Sequence, residues 1–443
     1  MNLGPEQVAA AIAAAVVAEG EAGAPSRATV DSRDAGPGDL FFGLPGEHVD
    51  GGEFAAAALE AGAWGAVVEP ARAGGLQGGW VFAAEPLPAL QSLAREWRRA
   101  LGARVVGVTG SVGKTSVKDI ARALLPGRVH ANRENLNTEI GLPLTVLEAP
   151  EGTDMLVLEM AMRGAGQIAE LAAIAQPDVA VITNVGPVHV ELLGSVEAIA
   201  AAKAEILEEL PPGAAAVVPV DSAELEAHLH GPHRLIRFGE GGDVEAVERR
   251  VADGVTEALV RTPAGEQLFH FPFAEAHNLT NALAAIAAGV ALEASLEGMS
   301  DRAADIGFSR FRGERLELGD GIVLVNDCYN ANPVSMRAAL DHIASLRAER
   351  AVAVLGEMAE LGPGAPGYHR DVGEHARAAG VDLLVGVGEP ARGYAPDELV
   401  ATPEEAAELL APQLQPGDAV LVKGSRSAGL ERVAESLEEL LDG

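Results

Sequence analysis

Residues 105–125, VVGVTGSVGKTSVKDIARALL, commit the chain to an open sheet with helices packed against it. An apolar, β-branched run enters a glycine-rich turn, and a helical pattern leaves it. Continuous apolar runs of this kind are what parallel strands covered on both faces look like. The glycines let backbone amides turn inward, the helix N-terminus adds partial positive charge, Lys114 reaches terminal phosphates, and Thr115 offers a hydroxyl to Mg²⁺. The standard spacing G-x-x-x-x-G-K-[ST] would put glycine at 108, where Val108 stands, so the loop has the short form T-G-S-x-G-K-T-S. Thr109, Gly110, Ser111, Val112, Gly113, Lys114, Thr115 and Ser116 are expected to hold a nucleotide's phosphates.

The pattern recurs in DMLVLEMA and DVAVITNVG, with helical stretches between. From about residue 310 it restarts: strands IVLVNDCY, AVAVLG, DLLVGVG and DAVLVKGS alternate with four helical segments, the spacing of a separate Rossmann-like domain. Before residue 102, short runs such as DLFFGLPG and WGAVVE sit among glycines and end in the amphipathic LPALQSLAREWRRALG. A chain of 443 residues, 48% apolar, has room for about three cores. The expected fold class is α/β in three domains: a small mixed α/β domain at 1–102, a central phosphate-loop domain with a mostly parallel sheet at 103–309, and a Rossmann-like domain at 310–443.

A net charge of −33 argues against nonspecific binding to nucleic acid or anionic membrane, so a polyanionic ligand must meet a local positive site. The single Cys328 rules out an internal disulfide framework. The apolar run near the N-terminus lacks a basic leader, and no run approaches a membrane span of about 18 residues. A cytoplasmic, soluble protein without membrane insertion is expected. Lysine is scarce: only Lys114, Lys118, Lys203 and Lys423 occur, and Lys203 sits in the alanine-rich AIAAAKAEILEEL.

Glu159 ends the strand LVLE at the sheet edge where α/β ligands bind, and reads either as a magnesium ligand or as a helix-cap acid. His189 follows the next strand on the same edge; alone, such a histidine is more often structural than a ligand.

With these pieces in order the chain resembles the Mur ligases, ATP-dependent amide-forming enzymes of peptidoglycan precursor synthesis. The resemblance covers essentially the full length through NLNTEIGLP, EMAMRGAGQI, NVGPVHVELLGS, AAAKAEIL, HNLTNALAA, RGERLE, NDCYNANPVSMRAAL, LGEMAELG and KGSRSAGLE. YNANP followed by LGEMAELG is most similar to the member that adds D-alanyl-D-alanine to UDP-N-acetylmuramoyl-tripeptide. The N-terminal DSRDAGPGDLFFGLPGEHVDGGEF is similar to the uridine-nucleotide domain shared with the ligase of the third residue, whose D-N-P-R motif is not found here.

The resemblance implies ATP and Mg²⁺ as cofactors, an acyl-phosphate intermediate, and catalytic roles for Lys114, Glu159, His189 and Lys203. It places Thr115, Glu159, His189 and Lys203 at the metal sites, Lys203 as a CO₂-derived carbamate. Only a neutral primary amine forms that adduct, so arginine cannot replace it, and burial in an apolar helix favours the neutral form. Without the family context Lys203 reads as a lysine snorkelling from an amphipathic helix. The resemblance also implies that Asn278 and Asn281 face the adenine, although Asn278 alone reads as a helix cap. Arg315, Asp327 and Asn330 would contact the nucleotide from the C-terminal domain. Ser32 and Arg33 would meet the uridine nucleotide, and Asn137 and Thr138 the muramoyl group. Lys423, Ser425 and Arg426 would bind a carboxylate, or else form a solvated loop. The implied partners are small-molecule substrates only, met by a monomer whose C-terminal domain closes. The rival readings are another Mur-type or folylpolyglutamate-type amide ligase, a phosphate-loop NTPase switch, and a silent homologue acting as a binding module.

Overall fold

A computed structural model describes residues 1–442 except Glu47, Glu134, Val188, His189, Glu209 and Arg347. The first sheet has five strands in the order Ala15–Ala18, Trp80–Ala83, Gly65–Val68, Asp39–Phe42, Arg27–Thr29, with only the first pair antiparallel. The second runs Arg234–Phe238, Ala215–Pro219, Val179–Ile182, Arg104–Thr109, Met155–Glu159, Val129–Ala131 and is parallel throughout. The last runs Glu314–Glu317, Val323–Asn326, Asp418–Lys423, Arg350–Leu355, Leu383–Val387, Glu398–Val400; its first strand alone is antiparallel. These match the α/β expectation. A further antiparallel sheet, Glu245–Ala252, Val255–Thr262 and Gly265–Phe271, is not part of it.

Period-two alternation sorts the central strands' side chains onto two cores. Val106 and Val108 pack with Ile120 and Leu124 of helix Lys114–Leu124 and with Leu279 and Ile286 of helix Ala276–Ala291. Val105, Leu156 and Leu158 face the other way, onto Leu142, Ile168 and Ile199. Helix Pro86–Leu101 serves two domains: Leu90, Leu93 and Trp97 share one core with Phe42 and Phe82 of the first sheet and with Leu142 and Val146 of the central domain. Arg98 on that helix donates to the last carbonyls of helix Gln167–Ala175, at Ala175 (2.9 Å) and Gln176 (2.7 Å), where helix-end oxygens lack partners. No helix among the described residues is long and apolar enough to cross a membrane.

The C-terminal ends of the central strands look toward the C-terminal domain. Two cavities lie between the two sheets, at the edge where parallel α/β sheets hold ligands.

Candidate active site

The glycine-rich turn adopts a backbone that only glycine carries cheaply. Gly113 has φ +82°, a left-handed geometry that costs other residues about 1–2 kcal/mol. A Cβ there would come 2.5 Å from Asn281 Oδ1, and one at Gly110 would run into the Thr183 hydroxyl. Asn184 seats the turn, its Oδ1 accepting from Ser111 N (3.1 Å) and Val112 N (2.9 Å). Thr183 Oγ1 donates to Val112 O (2.5 Å). The Ser111 and Val112 amides are thus used inside the protein. The helix's own first bond is Val117 N to Gly113 O (2.8 Å), so Gly113, Lys114, Thr115 and Ser116 keep amides with no intrahelical acceptor, the donors available to an anion. Lys114 Nζ donates to Gly110 O (2.8 Å). Burial pulls its pKa below the ordinary lysine value; Glu159 opposes the shift and Arg312 adds to it.

Glu159 is held at every polar atom it has. Its Oε2 accepts from Thr115 Oγ1 (2.9 Å) and its Oε1 from Asn137 Nδ2 (2.9 Å). Buried Asn132 accepts from Glu159 N (2.6 Å) and donates to Glu159 O (3.1 Å) and Leu136 O (2.6 Å). A fixed carboxylate beside a hydroxyl is a pair of hard oxygen donors, the kind Mg²⁺ takes while keeping water and phosphate oxygens for the rest. Among the described residues no group of three or more His, Cys, Asp or Glu is placed to hold a metal ion. Lys203 lies in helix Val196–Ala204, capped by Ser195, and is 2% exposed. Burial first, and the Lys114 charge second, push its pKa well below the ordinary value, so the amine is held toward its neutral form. His189 lies outside the described residues.

The C-terminal domain brings an arginine that sequence reasoning missed. Ser309 N and Oγ both donate to Asp119 Oδ2 (2.8 Å each), pinning the entering segment to the phosphate-loop helix. Three residues on, Arg312 Nη2 donates to Thr115 Oγ1 (3.2 Å) while its guanidinium lies 4.1 Å from the Tyr329 ring centroid. Its Nε is buried without a hydrogen-bond partner among the described residues. Arg315, expected to contact the nucleotide, is exposed on strand Glu314–Glu317, bonds Glu317 (2.9 Å) and lines neither cavity. The segment SRFRGER offers three arginines, and only the pinning at Ser309 decides which one reaches the loop.

The smaller cavity, about 280 Å³, gathers Gly113 to Ser116, Glu159, Asn278, Asn281, Arg312, Asp327, Asn330 and Lys423. Asn278 is not a cap; it stands in the first turn of Ala276–Ala291, behind Glu275. Lys423 finds its carboxylate within the chain, donating to Asp327 Oδ2 (2.5 Å) and to Asn330 O (3.1 Å), which ties together the ends of two neighbouring strands. The larger cavity, about 1050 Å³, shares Asn330, takes in Ser425 and Arg426, and is bordered by Lys118, Arg122, Arg133 and Arg310, a positive cleft on a strongly negative chain. Ser425 Oγ accepts from Ala359 N (2.9 Å), and Arg426 pairs with Glu431 (2.9 Å). Thr138 Oγ1 accepts from Gly141 N (3.4 Å) at the start of a helix. Ser32 and Arg33 are in the N-terminal domain, outside both cavities, with Arg33 paired to Asp31 (2.5 Å).

Along the sequence, the Mur ligase family, catalytic domain matches residues 27–84, the Mur ligase middle domain 108–289, and the Mur ligase, glutamate ligase domain 311–426. A UDP-N-acetylmuramoyl-tripeptide–D-alanyl-D-alanine ligase of Synechocystis sp. is 38% identical over 425 residues, 92% of this chain and 90% of that protein. The crystal structure of MurF from Acinetobacter baumannii is 29% identical with a TM-score of 0.91, covering 99% of both chains. MurF ligase from Thermotoga maritima, solved in complex with ADP, is 31% identical with a TM-score of 0.84, covering 94% of this chain and 98% of that one. With the family's three domains matched in order and a fold shared over nearly every residue, the chain belongs to the Mur ligase family.

Proposed function

We propose that this chain joins D-alanyl-D-alanine to UDP-N-acetylmuramoyl-tripeptide at the expense of ATP, in the cytoplasm and as a monomer. The observation that carries the ATP half is the convergence of Lys114, Thr115, Glu159 and Arg312 from two domains on one small cavity. The relatives' names and the ADP-bound neighbour support the substrates. Residues 1–102 bind the uridine nucleotide through Ser32 and Arg33, 103–309 bind ATP, and 310–443 close over both.

In the first step the tripeptide's terminal carboxylate attacks the γ-phosphorus of ATP, forming an acyl phosphate and releasing ADP. In the second the dipeptide amine attacks the acyl carbon, loses a proton, and expels phosphate. Negative charge builds on the transferred phosphoryl group, so fixed donors there lower the barrier. The amides of Gly113 to Ser116, Lys114 and the Arg312 guanidinium supply them. Mg²⁺, held by Thr115 and Glu159 and further by His189 and a carbamate on Lys203, would neutralise charge between the carboxylate and the triphosphate. Asn278, Asn281, Asp327 and Asn330 orient the nucleoside, while Asn137 and Thr138 meet the muramoyl group. The larger, positive cleft with Ser425 and Arg426 takes the dipeptide carboxylate.

A panel of UDP-muramoyl peptides against amino acids and dipeptides, scored for ADP and product mass, tests this. Tripeptide with D-Ala-D-Ala should give the fastest amide formation. If single amino acids are preferred, the chain is a different amide ligase; ADP without any amide product refutes ligation.

A further inference from the structure

The C-terminal domain touches the nucleotide cleft at a second point, and it does so through a histidine–carboxylate contact. His342, on helix Pro333–Ser345, places Nε2 3.3 Å from Glu275 Oε1, which caps helix Ala276–Ala291 of the central domain. Both side chains are largely buried, at 10% and 15% exposure, and both line the smaller cavity. The carboxylate's other oxygen accepts from Asn278 Nδ2 (3.3 Å), and Asn278 Oδ1 accepts from Asn281 Nδ2 (3.4 Å). A carboxylate only accepts, so Asn278 must turn its amide nitrogen to Glu275 and its oxygen to Asn281. That leaves Asn281 Oδ1 against Gly113 of the phosphate loop, where a Cβ would come within 2.5 Å. Contacts therefore run from the C-terminal domain through Glu275, Asn278 and Asn281 to the Gly113 backbone.

We propose that His342 is a positioning residue for the nucleotide: its pair with Glu275 across the domain boundary sets the two asparagine amides, so that docking of the C-terminal domain and nucleotide affinity are coupled. This rests on the nucleotide reading of the cleft given above. The charged groups facing His342 besides Glu275 are Asp327, Arg315 and His277, while Asp341 on its own helix is engaged by His375 (2.7 Å). Burial keeps the imidazole's pKa below its ordinary value, so it gains charge as pH falls, and its 3.3 Å contact with Glu275 then becomes an ion pair.

The test is direct binding of ADP with Mg²⁺ by titration calorimetry. His342→Leu removes the polar contact and should weaken ADP binding about tenfold, a typical coupling between sites, whereas His342→Gln keeps a polar N–H group there and should stay within about threefold. Glu275→Gln should lose as much as His342→Leu, and the double variant no more than either. Wild-type affinity should tighten as pH falls through the histidine's titration, and the Gln variant should lose that slope. ADP affinity in His342→Leu within about twofold of wild type, or losses that simply add in the double variant, would overturn the proposal. If His342→Leu does not fold, the pH slopes of wild type, His342→Gln and Glu275→Gln decide alone. Because the readout is ADP binding and not ligation, a wild type that binds ADP in this coupled way yet makes no amide refutes the function above and leaves this inference standing.

Discussion

Replacing Asn132 by alanine isolates the scaffold beneath Glu159. The side chain is 3% exposed and makes three hydrogen bonds, at 2.6, 3.1 and 2.6 Å, two of them to the backbone of Glu159 itself. A buried protein hydrogen bond contributes about 1 kcal/mol net, and a buried partner left unpaired costs about 1–3 kcal/mol, so losing all three should cost about 3 kcal/mol or somewhat more. Urea denaturation should report that loss as a lower midpoint at unchanged slope, because the surface exposed on unfolding is the same. The same change frees the Glu159 backbone, so the Mg²⁺ concentration for half-maximal ligation should rise as well. Asn132→Asp separates the bonds: it keeps an acceptor for Glu159 N and loses both donors. A stability change within about 0.5 kcal/mol, the range of an ordinary surface substitution, together with unaltered Mg²⁺ dependence would show that Asn132 does not hold the carboxylate.

Lys203→Arg should abolish ligation, since a guanidinium cannot form a carbamate; short carboxylic acids should restore some activity to Lys203→Ala, and wild-type-like turnover of the arginine variant refutes the role. The same lysine should destabilise the metal-free, CO₂-free protein: its folded pKa is depressed, so folding releases a proton that the unfolded chain keeps, and stability rises with pH until about 10.4, the unfolded value. Lys203→Met should therefore raise the melting temperature at pH 7, the gain shrinking toward pH 10; an unchanged melting temperature at pH 7 contradicts a buried neutral amine. Cys328 is fully buried and its thiol is pushed up to about 12, chiefly by burial, so a thiol reagent at pH 8 should label it only after denaturation, and rapid labelling of the native protein would contradict its placement.

The parallel strands were legible because each is a continuous apolar run bounded by turn residues. RVVGVTG became Arg104–Thr109 and DAVLVKGS became Asp418–Lys423. The antiparallel sheet of residues 245–271 was harder to read. It alternates polar and apolar residues and shows one face to solvent, so its apolar content is diluted by Glu248, Arg249 and Arg250. Its turns, ADGV and TPAGE, were the available signal. At the site, residues fixed by a local motif were visible: Gly113, Lys114 and Thr115 fall where strand, turn and helix must put them. Residues that act through tertiary contact were not. Arg312 reaches Thr115 only because Ser309 is tied to Asp119, 190 positions away, and Asn184 seats the phosphate loop from another strand's end. Neither distance nor partner is written in the local spacing.

In the proposed ligation an oxygen of the tripeptide carboxylate attacks phosphorus and leaves with it. Ligation with ¹⁸O in that carboxylate, followed by mass spectrometry of the released phosphate, tests it most directly. One ¹⁸O atom should appear in the phosphate for each amide formed, with phosphate release requiring both the nucleotide-sugar tripeptide and D-Ala-D-Ala. Amide formation with unlabelled phosphate, or full-rate phosphate release from ATP alone, would contradict it.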